Sequence, residues 1–164
     1  MTIDAPITKV TTASHRFPTP KPESDGTLTW NATTAVTVEV TAGGMTGLGW
    51  TYSTAAAANL IADVLSDVIH GRDALDVSGA WEAMVRACRN LGRPGVVSQA
   101  IAAVDIALWD LKAKLLDVPL HALFGKVRNT VPVYGSGGFT SMDDDALRHQ
   151  LDDKHRWPWV EGEF

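Results

Sequence analysis

The segment Ala100–Gly125, AIAAVDIALWDLKAKLLDVPLHALFG, constrains the fold of this 164-residue chain more than any other stretch. Ile101, Val104, Leu108, Leu111 and Leu115 recur three and four residues apart, the period of an amphipathic helix. Asp110 stands four residues before Lys114, the favoured order for an ion pair along a helix. Val118 precedes a proline, whose ring disfavours the α conformation before it, so the helix is expected to end there. Pro119 can then open a short second helix carrying Leu120, Leu123 and Phe124, which Gly125 can close.

Residues 1–53 read as β structure. Val36, Val38 and Val40 alternate with Thr37, Glu39 and Thr41, a half-buried strand. Ala42–Met45 is a glycine turn, and Gly47–Tyr52 returns as the partner strand. Pro18, Pro20 and Pro22 lead us to expect an exposed loop over Phe17–Asp25. Two helices precede the signature segment. The first, over 54–70, is expected to bury Leu60, Ile61, Val64, Leu65, Val68 and Ile69. The second, capped by Ser78, presents Trp81, Met84, Val85, Cys88 and Leu91 and stops at Gly92. Beyond residue 130 the pattern predicts a strand from Val131 to Tyr134, a glycine loop over Gly135–Gly138, and a helix. Ser141 and Asp144 would box the N-terminus of that helix, with Asp143–Asp145 in its first turn and Lys154, His155 and Arg156 in its last.

Composition narrows the classes of function. Hydrophobic residues make up 45% and charged residues 20%, so a packed core is feasible. The net charge of −5 and the lack of any basic run argue against nucleic acid or an anionic membrane as partner. One cysteine, Cys88, cannot form an internal disulfide, which fits a cytoplasmic home, and no signal pattern opens the sequence. Local motifs offer little chemistry. The five histidines lack metal-ligand spacing. Lys112 and Lys114 read as surface lysines, and Asp105, Asp110, Asp143–Asp145 and Asp152–Asp153 as structural or solvated carboxylates. Gly135-x-Gly137-Gly138 lacks both the later glycine of a dinucleotide loop and the lysine of a nucleotide loop.

The order Ala100, Asp105, Ala107-Leu108, Asp110-Leu111, Ala113-Lys114, Pro119-Leu120, Leu123-Phe124-Gly125 resembles the first signature of the enolase superfamily, in its mandelate racemase and muconate-lactonizing branch. Thr33–Tyr52 resembles that family's second and third strands with their turn, and Val131–Gly138 the entry into its barrel. The resemblance implies an α+β fold: a three-stranded antiparallel sheet followed by a three-helix bundle, plus one βα unit of an incomplete (β/α) barrel. The domains would be a capping domain over 1–128 and the first strand and helix of the barrel over 129–164. A closed barrel takes about 250 residues, and the stretch from 125 to 164 has room for roughly one unit.

In the complete family, the resemblance implies a Mg2+ held by ligands on the third, fourth and fifth barrel strands. A base on the second strand or on later ones removes the proton beside a carboxylate. That proton is too weakly acidic for lysine or histidine unless a divalent ion offsets the developing charge. No catalytic residue, metal ligand or cofactor is therefore expected within this chain, and the chain alone is expected to be inactive. The loops near Phe17–Trp30 and Gly47–Tyr52 would fold over the barrel mouth. Lys21, Asp25, Thr51 and Tyr52 are the candidate substrate-capping residues, and Gly135, Ser136 and Gly137 the barrel-mouth loop. Trp30 and Trp50 read as packing residues. The implied partners are a carboxylate or acid-sugar substrate, in a dehydratase or racemase, and further copies of the chain in a homo-oligomer. The alternatives are a stand-alone, association-prone capping or oligomerisation module and a truncated gene product.

Overall fold

The computed structural model describes residues 5–131 and 138–156, the last four of these by backbone alone. The chain divides into two compact units. Met1–Phe17 with Thr34–Phe124 forms the first, and Pro18–Thr33 with Gly125–Phe164 the second. The predicted strand Val131–Tyr134 and the loop residues Gly135, Ser136 and Gly137 lie outside the described residues, apart from Val131, which is exposed coil.

The strands β1 (Ile7–Ser24), β2 (Thr29–Ala42) and β3 (Met45–Tyr52) form one sheet in the order β1-β2-β3. β2 and β3 pair antiparallel from Ala35↔Tyr52 to Ala42↔Met45, which leaves Gly43 and Gly44 as the two-residue turn. Their φ values of 56° and 78° are what a type I′ hairpin requires. Val36, Val38, Val40 and Ala42 are fully buried on the helix side of the sheet, as their alternation predicts.

Phe17–Ser24 is not a loop: β1 continues through it. Successive N–H groups of a strand point to opposite edges, so Pro18, Pro20 and Pro22 remove donors from a single edge. β1 is the edge strand, and prolines spaced two apart on its outer side cost no ladder bond. They also leave that edge a poor template for a further strand.

The first helical segment runs as α1 (Ala55–Leu60), a π-helical turn (Ile61–Leu65) and α2 (Ser66–Ile69). Thr54 caps it by accepting from Ala56 N, and Ile61, Leu65 and Ile69 are fully buried while Leu60, Val64 and Val68 are partly so. α3 (Val77–Ala87) is capped by Asp76, not Ser78; its carboxylate accepts from Gly79 N at 3.0 Å. Met84 and Cys88 enter the core, and burial pushes the Cys88 thiol up. Trp81 and Leu91 are exposed, because α3 packs on α4, α2 and the π-helical turn through its other side.

α4 (Val96–Leu115) is the signature helix. Ile101, Val104, Leu108 and Leu111 are buried as expected, and so are Ala100, Ala103 and Ala107. The helix ends three residues before Val118, at a turn in which Asp117 takes φ 53°. α5 (Leu120–Leu123) follows with Pro119 at its N-cap, and Gly125 takes φ 84°. In the second unit, α6 spans Asp144–Arg156. Asp143 caps it, accepting from Ala146 N at 2.8 Å. Ser141 instead accepts from Ser24 N at 3.2 Å, so the expected capping box does not form.

Candidate functional site

Gly47 and Gly49 set β3 directly on α4. A Cβ at Gly49 would overlap the Ala103 carbonyl oxygen and lie 2.6 Å from Ala107 N. One at Gly47 would overlap the Ala107 carbonyl and lie 2.6 Å from Leu111 N and Cβ. The glycines two apart on the strand thus meet alanines four apart on the helix, backbone against backbone. The free edge of β3 is closed by the same helix. Asp110 Oδ2 accepts from Leu48 N at 2.7 Å, and Lys114 Nζ donates to Thr46 O at 2.9 Å. The two side chains pair with each other at 2.7 Å. Asp110 and Lys114 are therefore an edge cap as well as the expected i,i+4 pair. Lys112, read as a surface lysine, donates to Leu75 O at 2.7 Å and lies 5.2 Å from the Trp109 ring.

Gly47–Tyr52 is the partner strand that its pattern predicts, so the capping loop expected near it is not a loop. Only its end opens toward Ser53 and Thr54. Thr51 is half-buried on the helix side, whereas Tyr52 is 65% exposed on the opposite face together with Leu48 and Trp50. Trp50, at 60% exposure, does not serve as a packing residue within the described chain. With glycines at 47 and 49 against the helix, Leu48, Trp50 and Tyr52 stand on the outer face of β3.

In the second unit, Lys21 is exposed on β1 and Asp25 sits in the turn between β1 and β2. Asp25 Oδ1 accepts from Leu28 N at 2.8 Å, Thr27 N at 2.6 Å and Thr27 Oγ1 at 2.8 Å. These bonds hold its carboxyl below the ordinary aspartate range, the Leu28 amide contributing most. Its Oδ1 is used to shape the hairpin tip. The tip in turn meets the segment before α6. Thr140 N donates to Ser24 O at 2.9 Å, Thr140 Oγ1 bonds Ser24 Oγ at 2.9 Å, and Trp30 packs edge-on to Phe139 at 5.4 Å. Trp30 also donates to Glu23 at 2.8 Å, so it does pack as expected.

Asp25 yields an expectation for pH. Its folded-state pKa is depressed, so the order it confers on the tip is fully present above about pH 3.9, the ordinary aspartate value. That order is lost as pH falls through the lower folded value. NMR titration should show the Thr27 and Leu28 amides moving with the Asp25 carboxyl below its ordinary pKa. Titration at the ordinary value would contradict the turn geometry.

A resident Mg2+ would require several converging carboxylates. Among the described residues no group of three His, Cys, Asp or Glu side chains is placed to hold a metal ion. These residues therefore do not fit the ion. No helix among them is long and apolar enough to cross a membrane.

The three-stranded antiparallel sheet and its helix layer form the α+β fold of an enolase-type N-terminal domain. The chain belongs to the family described as mandelate racemase / muconate lactonizing enzyme, N-terminal domain, whose model matches residues 7–125. It is 39% identical over 113 residues to 3,6-anhydro-alpha-L-galactonate cycloisomerase of Streptomyces coelicolor, a match spanning 66% of this chain and 31% of that protein. It is 39% identical over 108 residues to L-talarate/galactarate dehydratase of Salmonella typhimurium, spanning 63% of this chain and 27% of that protein. Among solved structures, a racemase from Streptomyces coelicolor with bound magnesium superposes with a TM-score of 0.85 at 35% identity, over 90% of this chain and 43% of that one. The chain thus spans under a third of the length of these two curated relatives.

Proposed function

We propose that this chain is the capping part of a magnesium-dependent acid-sugar dehydratase or racemase. In this reading, residues 1–128 are the capping domain and 129–164 open a barrel that supplies the metal ligands and the base. The supporting observation is the seat of β3 on the signature helix, which fixes the strand carrying Thr51 and Tyr52. A residue that closes over substrate gains from such a support, because a lid excludes water only if its contacts are reproducibly placed. Lys21 would meet the substrate's anionic or polyhydroxy end. Thr51 and Tyr52 would meet its distal part, Asp25 would hold the hairpin tip in shape, and Gly135, Ser136 and Gly137 would line the mouth. The exposed Leu48 and Trp50 side chains also offer an apolar face for assembly with further copies, in a cytoplasmic enzyme.

The test replaces the matching segment of the Salmonella L-talarate/galactarate dehydratase with residues 7–125 of this chain. The folded chimera is expected to dehydrate an acid sugar. In it, Lys21→Met and Tyr52→Phe should each raise KM roughly tenfold, about 1.4 kcal/mol, with kcat little changed. KM values unaltered by both substitutions would remove these residues from the substrate.

A further inference from the structure

Between α3 and α4, on the first unit, lies an open cavity of about 220 Å³. Trp81 and Val85 line it from α3, and Ile101, Ala102 and Asp105 from α4, with Arg93 at one end. It is smaller than the ~300–1,000 Å³ of pockets for drug-sized ligands and matches one long side chain. Its walls combine the apolar Trp81, Val85, Ile101 and Ala102 with the polar side chains of Arg93, Ser98 and Asp105. That carboxylate is half-buried and has no hydrogen-bond or ion-pair partner among the described residues. Arg93 does not serve it: its guanidinium rests over the Trp81 ring, 5.7 Å from the centroid. Its backbone carbonyl is fixed by Ser98 N at 3.0 Å and by the Ser98 hydroxyl.

We infer that this cavity is a socket for an arginine side chain carried on a polypeptide segment packed against α3 and α4. The chemistry is complementary at each point. A carboxylate accepts the guanidinium fork in two parallel bonds, and Ile101 and Val85 cover the aliphatic stem. The indole of Trp81 already holds the Arg93 guanidinium, so this wall is of a kind that a guanidinium can rest against. Burial without a partner pushes the Asp105 carboxyl up, and a docked cation would offset that cost. Polypeptide is the favoured bearer because the matched part is only 31% and 27% of the two curated relatives, so most of each relative's chain is available to pack against this domain from outside. The inference is independent of catalysis.

The test is NMR titration of the isotopically labelled 164-residue chain with acetyl-Gly-Arg-Gly-amide at pH 7, against the same peptide carrying citrulline, the neutral isostere. The arginine peptide is expected to shift the Trp81 indole N–H and the Ala102 and Asp105 amides saturably, with a dissociation constant on the order of millimolar. Asp105→Asn should weaken this at least about tenfold while the other amides keep their positions. Equal shifts with the citrulline peptide, or undiminished binding by a folded Asp105→Asn chain, would overturn the inference. So would binding that appears only in Arg93→Ala, which would show that Arg93 fills the socket itself. Should Asp105→Asn not fold, the arginine and citrulline comparison on the unaltered chain decides.

Discussion

Replacing Gly49 with alanine is expected to destabilise the first unit by about 3 kcal/mol or more, the upper end of ordinary overpacking. The added methyl would meet the Ala103 carbonyl oxygen and the Ala107 amide nitrogen, which are backbone atoms of a buried helix and cannot rotate aside. Relief requires β3 to lift from α4, which carries Gly47 away from Ala107 and Leu111 as well. For a domain of this size the loss corresponds to a melting temperature lower by on the order of 10–20 °C. Ala103→Gly should not rescue it, because the obstruction is the carbonyl and not the alanine side chain. Urea denaturation of both variants measures this. An unchanged midpoint for Gly49→Ala would mean that the strand is not seated on the signature helix.

The second expectation concerns the edge cap. Asp110→Ala removes the acceptor of the Leu48 amide and the partner of Lys114, which keeps its bond to Thr46 O. Losing the charged acceptor is expected to cost about 1–2 kcal/mol, less than the glycine substitution because Leu48 is exposed and water can reach the strand edge. An uncovered edge is also a template for pairing, so concentration-dependent association should appear in light scattering. Asp110→Asn keeps an acceptor for Leu48 but loses the charge, and should fall between the two. Identical stability and a monomeric state for Asp110→Ala would show that the side chains do not hold the edge.

Legibility in the sequence followed how local each cause was. The signature helix was readable because its large residues carry the 3.6-residue period. The buried face formed by Ala100, Ala103 and Ala107 was not, since alanine suits exposed and buried helix positions alike. Its explanation lies in two glycines more than fifty residues earlier. The matching signal was nevertheless present: small residues two apart on a strand and four apart on a helix. The prolines of β1 were misread because a proline excludes an inner strand but not the outer side of an edge strand. Both misplaced caps, Ser78 and Ser141, had a neighbouring aspartate that won; for Ser141 a tertiary bond to Ser24 decided the choice.

The candidate site was the least legible. Its proposed residues come from two units, and no local spacing joins Lys21 to Tyr52. Asp25 illustrates the difficulty, since a carboxylate in a capping segment can meet substrate or shape the turn. Its three short bonds to Thr27 and Leu28 all fall on Oδ1 and show it shaping the turn.

The measurement that bears most directly on the capping role is an assay of the isolated 164-residue chain with Mg2+ over a panel of acid sugars, including talarate, galactarate, rhamnonate and mannonate. The account predicts no magnesium-dependent dehydration or racemisation above background. Turnover by this polypeptide alone, abolished by a chelator and restored by Mg2+, would contradict it.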